Sequence, residues 1–149
     1  MNSNRHSGMF RGLGSMLAAG TLALAVNLPA QSAEPIEIGE ITSLTGTNAV
    51  QGLDIQRGIQ LAVDRINSGY EVPTKDGSTQ TLGPGLLDGR EITMIVEDTE
   101  SRPASAMDAV RKLVNVDDVS IVLGEYSSGI SVPTGQFTNS NGVIQVGIG

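Results

Sequence analysis

The sequence predicts an α/β fold: a parallel sheet between two helical layers, a Rossmann-like three-layer sandwich. Three observations carry this reading. From residue 34 onward, short apolar stretches of strand character alternate with longer stretches of helical period. The order strand, helix, strand, helix, strand, helix, strand requires crossover connections, and these are right-handed between parallel strands. At residues 120–129 (SIVLGEYSSG) an apolar run ends at a glycine and hands over to a segment with helical spacing. Such a handover aims several unpaired backbone N–H groups at one spot, with Ser127 and Ser128 beside them as side-chain donors, which suits a carboxylate or other small anion.

The elements follow in order. Alternation over 36–42 reads as a strand, and the turn signal Thr45-Gly46-Thr47-Asn48 follows it. From Gly52 the period changes, and Ile55, Ile59, Ala62, Val63 and Ile66 share one helical face until Asn67-Ser68-Gly69 stops it. Residues 70–90 contain Pro73, Asp76-Gly77, Gly83-Pro84-Gly85 and Asp88-Gly89, the composition of a loop or ragged hairpin. A second strand covers 91–97. Pro103 lies near the start of a second helix with the stripe Ala106, Val110, Leu113 and Val114. Residues 119–123 form the third strand. Residues 130–141 are a weaker helix candidate because they contain Pro133 and Gly135, and 143–147 form the fourth strand. The chain stops there with no helix over its last strand, so a fragment of a longer protein is expected.

Residues 1–33 read differently. Arg5 and Arg11 precede an apolar run over 13–26, followed by Pro29 and the small residues Ser32 and Ala33. This predicts a secretory signal peptide cut after Ser32 or Ala33, too short to span a membrane. The expected location is the periplasm, with no membrane insertion of the mature chain. Residues 34–149 carry all 16 acidic residues and seven of the nine basic ones, leaving a net charge of −9. That surface repels nucleic acid. There is no cysteine, and the single histidine, His6, falls in the leader. Histidine-based triads and His-ligated metals are therefore excluded from the mature segment. With two Phe and two Tyr, a stacking surface for bases or sugars is disfavoured too.

In an open parallel sheet, ligands bind beyond the carboxyl ends of the strands. Four loops leave those ends here: 43–51, 98–101, 124–129 and 147 onward. Ser43, Thr45, Thr47, Thr99, Ser101, Ser127 and Ser128 place hydroxyls along the rim, with no base and nucleophile among them. That describes a binding rim, not an active site. Ser128 is read equally well as a helix cap. Tyr126 either covers a ligand or packs. Asp98 and Glu100 read mainly as a solvated loop near a helix start, with a metal or acid–base pair as the weaker alternative.

The ordered stretches IEIGEITSLTG (36–46), GIQLAVDRIN (58–67), LDGREI (87–92), VEDT (96–99), AVRKLV (109–114) and VLGEYSS (122–128) resemble the periplasmic leucine/isoleucine/valine-binding proteins of ABC importers. The resemblance implies a type I periplasmic binding fold of two lobes that close on a ligand, with residues 34–149 as the first part of lobe 1. The family's serine after the third strand falls on Ser128, whose hydroxyl and amide would take the ligand carboxylate. The next contact falls on Gly149. A side-chain-reading position, often aromatic, falls near Gln51, a departure that points away from a purely aliphatic ligand. The long 70–90 segment is larger than the family's usual loop. No cofactor is implied. The implied partners are an amino acid or small amide and ABC transporter permease subunits, and the full-length protein is expected to be a monomer. The second lobe and hinge would lie outside this chain, so segment 34–149 alone should bind amino acids weakly or not at all. A ligand-sensing receptor domain of the same fold is the alternative, and an exported enzyme is disfavoured.

Overall fold

The computed structural model describes residues 34–148. The predicted leader over 1–33 and the contact assigned to Gly149 lie outside those residues. Strand β1 (Ile36–Thr42) leads into α1 (Ala49–Ser68), and a hairpin of β2 (Tyr70–Pro73) and β3 (Thr79–Leu82) follows. Then come β4 (Ile92–Asp98), α2 (Pro103–Asn115), β5 (Ile121–Leu123), α3 (Ser128–Ser140) and β6 (Ile144–Val146). The main sheet is parallel throughout, in the order β4-β1-β5-β6. The 70–90 segment forms an antiparallel hairpin apart from it.

The order fixes the layers. From β1 the chain crosses to β4 on one side, then passes back to β5 and on to β6. Right-handed crossovers running in opposite directions place α1 on one face and α2 with α3 on the other. Side chains confirm the assignment. A Cβ built on Gly39 would meet Leu113 of α2 at 2.9 Å, whereas Thr42 Oγ1 donates to the Gly52 carbonyl of α1 at 3.3 Å.

The core lies on the α2 face, where Ile41, Ala109, Val110, Leu113, Val119 and Val122 pack together. Each fully buried aliphatic side chain there contributes on the order of 2 kcal/mol. The stripe foreseen on α2 is right, with Ala109 added and Val114 at its margin. On α1 the stripe needs correction, because Ala62 is exposed. Gly52 and Val63 are the buried positions of α1, with Ile55, Gln56, Ile59 and Ile66 half-buried, a narrow stripe that Ala62 misses.

Helix α3 forms despite Pro133 and starts two residues earlier than expected. Proline removes one backbone donor from the helix. Hydroxyls of the same helix make local bonds around this point: Thr134 Oγ1 donates to the Ile130 carbonyl at 2.9 Å, and Thr138 Oγ1 to Gly135 at 3.0 Å. Thr134 and Thr138 are both buried, on the side facing β6.

One side chain breaks the apolar pattern. Glu40, in the middle of β1 on the α1 face, is 1% exposed, and neither carboxylate oxygen has a hydrogen-bond partner among the described residues. Burial in this setting disfavours the charged form and pushes its pKa up to about 7.

Candidate ligand-binding rim

Because every strand of the main sheet points the same way, the loops after β1, β4, β5 and β6 share one edge. Strands β1 and β5 are neighbours, yet their following helices lie on opposite faces. The crevice between their carboxyl ends is therefore the switch point of the topology, where open α/β sheets bind ligands.

Two of the loops are tied to each other. Asp98, at the end of β4, accepts hydrogen bonds from Leu44 N (2.9 Å), Thr45 N (3.2 Å), Thr45 Oγ1 (2.6 Å) and Glu100 N (2.8 Å). Partial burial alone would raise its pKa, but these donors together outweigh that and hold it below the ordinary Asp value. Ser101 Oγ donates to the Thr45 carbonyl at 2.9 Å and accepts from Asn48 N at 3.0 Å. Glu100 is engaged by Arg102. Asp98 and Glu100 thus fasten loops and the entry to α2, in keeping with the solvated-loop reading.

Ser43 and Thr99 correct the expectation of a hydroxyl-lined rim. Both are fully buried and bonded to each other through Oγ and Oγ1 at 2.9 Å, and Ser43 Oγ also donates to Glu125 Oε1 at 2.8 Å. They continue the α2 face of their strands one step beyond Ile41 and its β4 neighbour Glu97, so they close the core from above.

The loop after β5 is built differently. Gly124 has φ +103, and a Cβ there would lie 2.0 Å from the Ile41 carbonyl oxygen, so only glycine allows the turn to lie against β1. Gly124 N donates to the Val146 carbonyl at 3.0 Å. Beyond it, the backbone N–H groups of residues 126–129 have no partner among the described residues, because they open α3. The N-cap is Ser127, not Ser128, and its side chain makes no capping bond. Ser128 is the first helical residue and is exposed. Neither hydroxyl is engaged within the described fold, so the capping alternative for Ser128 falls away. Tyr126 is 47% exposed beside them and does not pack into the core.

Gln51 is exposed in the first turn of α1, inside the helix instead of in the loop. Gly52 next to it is buried, and a Cβ there would come within 2.0 Å of the Ser43 carbonyl oxygen. The helix start is thereby pressed against the end of β1, and Gln51 is carried on α1, on the other face of the sheet from α3. Sequence reasoning missed Glu125, which is 1% exposed, and Gln145 of β6. Gln145 Nε2 reaches the carbonyls of Gly124 (3.1 Å) and Ser131 (3.3 Å) and Thr134 Oγ1 (3.0 Å). Its place between Ile144 and Val146 in a strand was the available signal: a polar side chain alternating inward.

A doubly wound parallel sheet with free helix-N-terminal donors at its switch point defines a ligand-binding α/β lobe. The sequence model of the periplasmic binding protein family matches residues 35–149, and the chain belongs to that family. It is similar to the Leu/Ile/Val-binding protein homolog 2 of Brucella abortus, 28% identical over 91% of this chain and 32% of that protein. It is also similar to the Leu/Ile/Val-binding protein BraC3 of Rhizobium johnstonii, 32% identical over 74% of this chain and 26% of that protein. Among solved structures it resembles the branched-chain amino acid transporter substrate-binding protein LivJ of Streptococcus pneumoniae in complex with isoleucine. That match has a TM-score of 0.62 and 29% identity, over 76% of this chain and 28% of the other. These relatives are named as binding proteins, and the chain spans about a third or less of their length.

Proposed function

We propose that this chain is part of an extracytoplasmic solute-binding component of an ABC importer and that it binds the carboxylate of an amino acid, or the equivalent end of a small amide. The observation that carries this reading is the start of α3. Unpartnered N–H groups over 126–129 and two unengaged hydroxyls, on Ser127 and Ser128, converge at the switch point of the sheet. Ser128 is the principal carboxylate donor, with Ser127 and Tyr126 beside it and Gln51 of α1 reading the rest of the solute. Gly149 is assigned the next contact, as the resemblance implies.

The rim is one open wall, and a ligand held there keeps its other side toward solvent. A second lobe would supply the opposing wall and an acidic partner for the ligand ammonium group, and permease subunits would receive the loaded protein. Residues 34–149 form the first part of lobe 1 under this reading, behind a leader removed on export. The test is calorimetry of the full-length gene product, purified from the periplasm, against L-leucine, L-isoleucine, L-valine, L-glutamine and acetamide. Saturable one-to-one binding of at least one of them is expected. Absence of binding by every member would overturn the proposal.

A further inference from the structure

We propose that Glu125 is a positioning residue for solute binding: its buried carboxylate anchors the β5–α3 loop so that the donors at the start of α3 converge. The inference rests on the solute-binding reading above and adds a residue to it.

Glu125 sits between Gly124, pressed against β1, and the half-exposed Tyr126, yet its own exposure is 1%. A carboxylate withdrawn from water is costly unless hydrogen bonds compensate. Here one hydrogen bond reaches it, from Ser43 in the loop after β1, and Ser43 is held in turn by Thr99 in the loop after β4. Ser43 has a single hydroxyl proton and donates it to Glu125 Oε1 at 2.8 Å. In the 2.9 Å contact between Ser43 and Thr99, Thr99 is therefore the donor. The hydrogen bonds run in one direction, from Thr99 after β4 through Ser43 after β1 to Glu125 after β5. All three residues are buried, at 0%, 0% and 1% exposure.

The same loop is held from the other side by Gln145 of β6, which donates to the Gly124 carbonyl at 3.1 Å and also reaches Ser131 and Thr134 of α3. Elements of the whole sheet thus contribute to fixing a segment whose N–H groups over 126–129 have no partner within the described fold. Glu125 does not touch the solute in this arrangement. Its second oxygen, Oε2, is enclosed and has no partner among the described residues. Its influence on the solute passes through the backbone it holds. Fixing donors in advance lowers the ordering cost of binding.

The experiment compares wild type, Glu125→Ala, Glu125→Gln and Ser43→Ala in the full-length protein. Dissociation constants are measured for the tightest-binding member of the panel above, well below each melting temperature, with the folded fraction taken from circular dichroism. Glu125→Ala is expected to weaken binding by about tenfold or more in fully folded protein, through loss of a bond to a charged group. Ser43→Ala should act in the same direction. Glu125→Gln keeps both volume and the Oε1 acceptor, so it should stay within about threefold of wild type. The inference is overturned if folded Glu125→Ala binds like wild type, or, should that variant not fold, if Ser43→Ala binds like wild type. It is also overturned if Glu125→Gln loses as much as Glu125→Ala, since that would mean direct action of the charge on the solute. A wild-type protein that binds no member of the panel defeats the solute-binding reading, and this inference with it. Failure of the inference alone requires a wild type that binds.

Discussion

Two neighbouring stretches of the rim are made of the same residue types and do opposite things. The pair of loops at 43–48 and 98–101 holds serines, threonines and acids that bond to one another. Asp98 draws in Leu44, Thr45 and Glu100, Ser101 joins Thr45 to Asn48, and Ser43 meets Thr99. The loop at 124–129 has serines too, but no carboxylate within it turns back on its amides, and Ser127 and Ser128 stay free. The two stretches differ in the donors that the fold leaves without acceptors, and residue type alone does not show that difference.

The comparison can be tested from either side. The largest effect is expected for Gly124→Ala. A Cβ placed 2.0 Å from the Ile41 carbonyl, at a positive φ, should cost about 3 kcal/mol or more and abolish solute binding. Urea denaturation alongside calorimetry checks both parts. If binding persisted, the close approach of this loop to β1 would not matter for the wall.

Glu40 supplies the counterpart to Glu125 in a place with no wall to build. Its carboxyl is ordinarily near 4.5 and is pushed up to about 7 in the fold. The folded protein therefore favours the protonated form more than the unfolded chain does. The stability from Glu40 is fully present below pH ~4.5 and is lost as pH rises to about 7, in total on the order of 3 kcal/mol. Glu40→Gln should remove that decline and stabilise the protein at pH 8. Equal urea midpoints for variant and wild type at pH 8 would refute this account of the burial.

Ser128→Ala should weaken solute binding by about 10- to 100-fold, the value of a hydrogen bond to a charged group, and leave the urea midpoint unchanged. Asp98→Asn should do the reverse: a loss of about 1–2 kcal/mol in stability with little change in binding, because its partners are loop groups. Since the fold lowers the Asp98 pKa, its contribution is present above the ordinary Asp range and fades as pH falls below about 4. The gap between variant and wild type should therefore be wider at pH 7 than at pH 3, as denaturation at the two pH values would show.

The element order was legible because period and glycine placement act locally. Alternation in 36–42, the helical stripe in 103–115 and the turn residues of 70–90 each report their own geometry. The division of labour among hydroxyls was not legible. Whether Ser43 meets a ligand or a protein group depends on Thr99 and Glu125, which lie 56 and 82 residues away in sequence. Glu40 and Glu125 were hidden for different reasons. In a sheet covered on both faces, the polar positions of an alternating strand no longer face water, so Glu40 ends up inside, whereas Glu125 lies in a loop and is buried through Ser43, 82 residues away in sequence. Ala62 failed on a finer scale: a helix touching the sheet along a narrow seam buries one of two adjacent small residues, here Val63.

The position of β1 in the chain also bears on how the protein folds. It is the first strand among the described residues, and its partners are β4, about 56 residues later, and β5, more than 80 residues later. Helix α1 and the β2–β3 hairpin can form locally, but the main sheet cannot begin until the chain has been delivered through Asp98. Folding that waits on such distant pairings is slow compared with folding through local contacts. Until the residues of β4 have been made, β1 is therefore a strand without a sheet, and the first residues to be ordered by the fold are not the first to be synthesised.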